Sequence, residues 1–473
     1  MKKNIIYGLI IAFIVFSVII FRINDSLIFH SDFARDLFNI LKISQGDQTL
    51  LGPKLSFGGL YTASYYYYLF VPVFLLSGFK IMSIVYFNAL LFVLAIFYFF
   101  INACKKYPLW KVAVASLSLS IVPVFLFSSR NPSISNTHLA LLLIFLTFVY
   151  FNSIEQPIII LILGFFFGVI INFGFLNLLL LLPIYFLIVY KLKKKVNSLY
   201  FLFGIAVSFI PLILFEIKNN FVMLKSTFFN QSYLSWIGNK NIIHGVAGKK
   251  NIIDNFFYLS NRITDLIVIN PIIGLIILYF IKFFEKKSDK KLFNIFNGFF
   301  ALLILSILIR FQLAPHYLYP TAFFIFFVII ITLLESQYKI LIFSMLFLEI
   351  ILFPKQIYNK STIRPEPFDQ AVRYSIDNHL IKKDSRFNVV MIADPNAIVG
   401  FDYRYFFQKY GFVALSEFEY SQSDILLIFT QKNNLDPSTL NSWEVEQFGK
   451  KYLLKTSKYK AGKTSIFKAE KYN

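Results

Sequence analysis

One cysteine in 473 residues, Cys104, leaves no intrachain disulfide to build, and with five scattered histidines no Cys/His spacing fits a zinc site. Charge is sparse, at 15% of residues against roughly a quarter in soluble domains. Acids are sparser still, 25 against 46 bases. A glycine-rich phosphate loop is also missing. The segment ADPNAIVG (393–400) follows a strand-like run but puts Pro395 and Asn396 where close approach of a phosphate would need glycine. No nucleotide or other cofactor is expected. There is no repeat of 20–50 residues and no inverted pair of Gly/Pro-broken helices.

Apolar residues fill the chain instead. They make up 57% of it, 19% is aromatic, and the mean hydropathy is +0.66, the composition of a membrane protein. A net charge of +21 would also suit nucleic acid, but the lysines stand in groups between apolar runs. The positive-inside bias explains that better, so no nucleic-acid partner is expected. Runs long enough to cross about 30 Å of hydrocarbon lie near 5–22, 81–103, 110–128, 138–152, 157–172, 174–190, 198–215, 265–284, 292–313, 318–334 and 338–353. Lys2 and Lys3 ahead of the first run are followed by no small-x-small cleavage site, so that run reads as an uncleaved helix.

Orientation follows from the lysines. With the amino terminus cytoplasmic, the inner loops carry Lys105, Lys106 and Lys111, then Lys191 and Lys193–Lys195, then Lys282, Lys286, Lys287, Lys290 and Lys291, then Lys339. This holds only if Tyr65–Gly78 does not span. That stretch is short, contains Pro72 and opens with four tyrosines, so it reads as an interfacial or re-entrant helix. The expected architecture is an all-α polytopic bundle of about eleven transmembrane helices (1–353) with a small extracytoplasmic α/β domain (354–473). In the latter, strands are expected at 387–393, 424–430, 452–456 and 464–468, and a helix at 403–410.

The outer face then gathers the polar segments: 22–80, SSRNPSISNTH (128–138), a long loop 216–264 and QLAPHYLYP (312–320). The long loop is rich in bases, among them Lys249 and Arg262, against the charge bias. A phosphate ligand would explain this, although loops of that length obey the bias loosely. The first segment is the most informative. Phe33, Leu37, Ile40 and Leu41 share one helical face, and Asp32, Arg35, Asp36 and Asn39 the other. A helix in the membrane interface, apolar side in lipid and charged side in water, fits that pattern; so does an ordinary connecting helix with a solvated face.

This arrangement resembles the GT-C glycosyltransferases, in the branch of the lipid A aminoarabinose transferase and the protein O-mannosyltransferases. That branch has Asp-Glu-x-Arg-Tyr-Ala-Glu on an interfacial helix after the first span. Here Asp32-Phe33-Ala34-Arg35-Asp36 is similar, with Asp32 and Arg35 in place and Phe33 departing from the second acid. GDQTLLGP (46–53) resembles the Gly-Asp-x-x-x-Pro that follows, with a later proline, and YTASYYYYLFVPVFLLSG (61–78) resembles the second interfacial helix. The Glu-Lys-Pro of the aminoarabinose enzyme is replaced by Tyr61-Thr62-Ala63, so its lysine has no counterpart. SRNPS (129–133) stands at the second active-site loop without the usual acid. HYLYP (316–320) is similar to the family's Arg/His-Tyr-Leu-Leu-Pro.

The resemblance implies transfer of a sugar from a polyprenyl-phosphate donor to a glycan, lipid or protein acceptor of the cell envelope, at the outer face of a bacterial cytoplasmic membrane. An acceptor needs a base within hydrogen-bond reach. Asp32 is the candidate, or else an N-cap. Arg35 would clamp Asp32 or the departing phosphate, or else form a surface ion pair. A single carboxylate opposite the leaving group implies inversion. Asp36, Arg130, Asn131, Lys249, Arg262 and His316 are candidates for substrate binding. Tyr65 would stack on a sugar, unless the tyrosines form an interfacial belt. With only amides and hydroxyls in the second loop, a divalent metal is not favoured. Glu349 is the one acid well inside an apolar run, one turn from its outer end and within reach of water. A transporter for a lipid-linked sugar is the alternative, but it would place ionisable groups near the midplane. A membrane scaffold would need no Asp-rich helix.

Overall fold

A computed structural model of the protein describes residues 2–55, 60–192, 197–225, 251–285, 292–308, 315–392, 397–432, 435–440 and 442–471. The chain forms two compact units. One comprises Met1–Asn24, Thr49–Leu69 and Met82–Asn359; the other comprises Asp25–Gln48, Phe70–Ile81 and Lys360–Asn473. The expected boundary at 353/354 lies beside the break at 359/360. The composition did not disclose that two segments of the first loop group with the carboxy-terminal residues.

The first unit is helical. Among the described residues each expected apolar run is largely helical, but not every helix can cross a bilayer unaided. By length and composition four can among the described residues: Lys2–Ile20, Ile81–Ala103, Ile134–Phe151 and Pro315–Glu335. Three bent pairs, each a broken span or a re-entrant segment, bring the number to at most seven: Leu109–Ile121 with Pro123–Arg130, Ser198–Ser208 with Ile210–Lys218, and Ile252–Ile267 with Pro271–Phe284. Shorter apolar helices are Tyr65–Leu76, which holds Pro72, Pro157–Phe173, Phe175–Lys191 and Leu292–Leu308.

Pro315–Glu335 is apolar on every side, and Tyr319–Leu334 is buried throughout, as a helix with no polar stripe must be. Lys2–Ile20 instead leaves Leu9, Ile10 and Phe13 exposed, where lipid tails satisfy them. Helices 157–173 and 198–208 approach so closely that a Cβ on Gly164 would lie 2.0 Å from the Phe201 carbonyl oxygen, and one on Gly204 2.1 Å from that of Leu161. Without a hydrophobic drive between helices in lipid, such small-residue packing draws backbones together.

The carboxyl end of helix Pro315–Glu335 is tied by side chains from several neighbours. Lys111 Nζ donates to the carbonyls of Leu334 (3.2 Å) and Ser336 (2.6 Å). Tyr107 and Tyr150 both donate to the Glu335 carboxylate. Glu285 pairs with Lys282 at 3.1 Å and accepts from Ser336 Oγ and Gln337 N. Cations at a helix carboxyl terminus complement its orphan carbonyls and dipole.

The second unit holds a five-stranded sheet of order β4-β3-β5-β7-β6, with β3 (Phe387–Ile392), β4 (Ala397–Ile398), β5 (Ile425–Thr430), β6 (Ser457–Ala461) and β7 (Thr464–Glu470). A short hairpin of the first unit, Leu51–Lys54 and Tyr61–Ala63, supplies β1 and β2. Strands β3 and β5 are parallel; the other pairs are antiparallel. The expected strand at 452–456 is a 3-10 turn, Lys450–Leu454, and the strand begins at Ser457. Its exposed Lys458 and Lys460 protect a sheet edge, and that polarity concealed it.

Helix Phe401–Lys409 fills the crossover. Its buried Arg404 donates to the carbonyls of Val399 (2.9 Å) and Leu415 (2.6 Å), to Asn388 Oδ1 and to the Tyr420 hydroxyl. The first-loop segment joins this unit through its backbone: Ser361 N donates to Asp25 O and Phe29 N to Ile363 O, each at 2.9 Å. Phe29 is fully buried among Phe33, Phe368, Tyr405 and Phe406.

Candidate functional site

Helix Ser31–Ser44 carries the acid–Arg–acid group. Its N-cap is His30, whose Nδ1 accepts from Phe33 N at 3.3 Å. Asp32 is therefore not the cap. An accepting Nδ1 requires a neutral ring, and burial lowers the His30 pKa accordingly, partly opposed by the Asp32 charge. Asp32 sits in the first turn, where a negative charge complements the helix dipole.

The apolar face is the one expected, with Phe33, Leu37, Ile40 and Leu41 at most 1% exposed. It does not lie in lipid. It packs on helix Phe401–Lys409, with Phe38 against Phe401 at 5.8 Å and Gln45 bonded to Gln408 at 2.7 Å. The opposite face is not wholly solvated either. Asp36 is completely buried, while the Asp32 side chain is 68% exposed.

Arg35 spans the two. Its Nη1 meets Asp32 Oδ1 at 2.9 Å, and Nη2 and Nε meet Asp36 Oδ1 at 2.9 and 3.2 Å. The buried carboxylate orients the guanidinium fork, and the fork holds the exposed carboxylate. Such a group presents one anchored carboxylate to a ligand. Next to it, Ser31 Oγ donates to Asp402 Oδ2 at 2.9 Å. Asp402 is 1% exposed, and burial pushes its pKa up to about 6, with the Asp32 charge adding to the rise. Sequence reasoning missed both partners, because an isolated serine and an aspartate far along the chain carry no local signal.

In the membrane unit the expected second loop is largely helical and buried. Helices Pro123–Arg130 and Ile134–Phe151 flank a brief turn, and Ser128, Ser129, Arg130, Asn131, Asn136 and His138 are all buried. Asn88 Nδ2 bonds the carbonyls of Ser128 and Ser129 at 3.0 and 2.9 Å, and Thr137 donates to Asn88 Oδ1 at 2.8 Å. Arg130 donates to the carbonyls of Ile19 and, at 3.0 Å, Phe21, and lies 4.5 Å over the Tyr358 ring. It thereby caps the carboxyl end of the first helix. Asn131 Nδ2 bonds its own helix at Phe127 O.

Tyr65 donates to Ser208 O at 2.9 Å and meets Phe165 edge-on. Arg262 lies half-exposed on helix Ile252–Ile267, not on a loop. His316 is half-exposed in the 3-10 turn Pro315–Leu318, with its ring 4.2 Å from that of Tyr317. Lys249 lies outside the described residues. Glu349 does not reach water: it is 1% exposed and accepts from Ser118 Oγ. The same unit contains an apolar cavity of about 270 Å³ lined by Leu55, Leu60, Tyr61, Phe209 and Met223. Glu216 at its wall is already satisfied by the amides of Met223 and Leu224.

The structure combines an apolar helical bundle, an acid-bearing helix after the first apolar helix and a small carboxy-terminal α/β sheet. The resemblance read from the sequence is thus met by the fold. Among solved structures, ArnT from Cupriavidus metallidurans is similar over almost the whole chain. Its apo form superposes with a TM-score of 0.60 and its undecaprenyl phosphate-bound form with 0.58; each is 10% identical and covers 99% of this chain and 98% of the other. No model of a protein family matches the sequence, and no curated protein matches it either.

Proposed function

We propose that the protein is a membrane glycosyltransferase that moves a sugar from a polyprenyl-phosphate donor to an acceptor at the outer face of the cytoplasmic membrane. The observation that carries this reading is the Arg35 fork, which holds the exposed Asp32 from one side while the buried Asp36 holds the fork. Asp32 takes the proton of the acceptor hydroxyl or amine as that group attacks the anomeric carbon; the bond to the lipid phosphate breaks, and attack opposite that bond inverts the centre. Arg35 keeps Asp32 in place.

The full-length fold shared with a protein solved bound to undecaprenyl phosphate supports a polyprenyl phosphate as the donor lipid. The cavity's lining is apolar, as contact with part of an isoprenoid chain would require. Arg262 and His316, both partly exposed, are assigned to the donor phosphate together with Lys249. Asp36 serves the proposed site by holding Arg35, while Tyr65, Arg130 and Asn131, the other substrate candidates, each bond backbone carbonyls.

The test is Asp32→Asn in purified protein given a polyprenyl-phosphate sugar. Transfer should fall by roughly 10²–10⁴-fold, the contribution of a positioned base. Undiminished transfer would remove the base assignment. Lipid movement across vesicles without any transfer by the wild type would replace the enzyme reading with a transporter.

A further inference from the structure

The carboxy-terminal unit contains a buried acid that its own sheet does not need. Asp402 lies at the start of helix Phe401–Lys409, 1% exposed, and its one side-chain partner in the described structure is Ser31 Oγ at 2.9 Å. Burying a carboxyl is costly, and an apolar pair of the same shape would serve packing at least as well. The bond also ties together residues 371 positions apart. Ser31 is the first residue of the helix whose second residue is Asp32. First turns fray, because their amides lack intrahelical partners. Here the only side-chain cap is the 3.3 Å bond to His30. The shorter Ser31 bond therefore restrains the turn from which Asp32 projects.

Further along, Phe38 meets Phe401, and Gln45 meets Gln408. The two helices therefore touch at three places, and the Ser31–Asp402 bond is the one at the end that carries the acid.

We propose that Asp402 is a positioning residue: through Ser31 it fixes the first turn that carries Asp32, which makes the carboxy-terminal α/β domain a working part of the transfer site. The proposal rests on the assignment of Asp32 as the base.

The experiment compares Ser31→Ala, Asp402→Ala, Asp402→Asn and the Ser31→Ala/Asp402→Ala double variant in full-length protein, with a polyprenyl-phosphate sugar as donor. Each alanine variant should lower kcat about tenfold and leave the donor KM within twofold. The double variant should be no slower than the slower single one, because both remove one bond. Asp402→Asn, whose amide oxygen still accepts from Ser31, should recover kcat to within threefold of wild type. Hydrogen exchange gives a readout that needs no turnover: amides of 33–36 should exchange faster in Ser31→Ala, with those of β3 and β5 unchanged.

Unchanged kcat and exchange in Ser31→Ala, multiplicative losses in the double variant, or no recovery in Asp402→Asn would each overturn the positioning role. If Asp402→Ala fails to fold, Ser31→Ala and Asp402→Asn still decide. Loss of transfer in Asp32→Asn with full activity in Ser31→Ala would refute this inference alone. Full transfer in Asp32→Asn would refute the base assignment, whatever Ser31 does.

Discussion

Two arginines that look alike in the sequence, each beside a polar stretch expected at the outer face, end in opposite circumstances. Arg130 is buried and spends its guanidinium on the carbonyls of Ile19 and Phe21, with Tyr358 beneath it. Arg35 meets two carboxylates, one buried and one 68% exposed. Carbonyls at a helix end need a donor simply so that the end can be buried. A carboxylate left in reach of solvent and gripped by a fixed fork can meet a ligand, which is what the proposed base requires. What separates a capping arginine from an orienting one is therefore the set of acceptors around it.

The comparison can be broken first at its reactive end. Asp32→Asn should cost roughly 10²–10⁴-fold in transfer with little change in thermal midpoint, because an exposed carboxylate contributes little to stability. A large fall in midpoint would make Asp32 structural. Arg130→Ala should do the reverse. It strips buried carbonyls of their donor, so thermal scans in detergent should show a loss of about 3 kcal/mol, while transfer per folded molecule changes by less than the Asp32 variant's loss. A stable but inactive Arg130→Ala would move Arg130 to the substrate.

The Ser31–Asp402 pair sharpens the comparison through pH. The folded-state pKa of Asp402 is about 6, above the ordinary 3.8, so the native protein keeps a proton that the unfolded chain has lost. The stabilisation from the neutral acid is complete below the unfolded value and is lost as pH rises through about 6. Asp402→Asn has no such proton. Measured against it, wild type should lose about 2–3 kcal/mol between pH 4 and 7; a difference that stays flat would mean that Asp402 ionises normally. The smallest effect belongs to Glu349. Glu349→Gln still accepts from Ser118 and should shift the midpoint by under about 1 kcal/mol, whereas Glu349→Ala should shift it more.

Much of the architecture was legible because it is local. Apolar runs became helices, and the 3.6 period of Phe33, Leu37, Ile40 and Leu41 located both a helix and its buried face. Strands β3, β5 and β7 stood out as apolar runs. The helix 252–267 inside the expected basic loop was obscured because its apolar residues are spaced along one face and interrupted by Asp254, Asn261 and Arg262. Several helices within the expected spans are short or bent, at Val122 ahead of Pro123 and at Phe209 ahead of Pro211, and hydropathy does not register bending.

The Asp-x-x-Arg spacing alone determined that one guanidinium would meet Asp32, because residues three apart on a helix are neighbours and a helix needs no distant partner to form that pair. Which surface the apolar face would cover, that Asp36 would be sealed and Asp32 left open, and that Ser31 would find Asp402 were decided only by the tertiary fold. Those outcomes depend on segments hundreds of residues apart coming together, and periodicity carries no information about contacts at that separation.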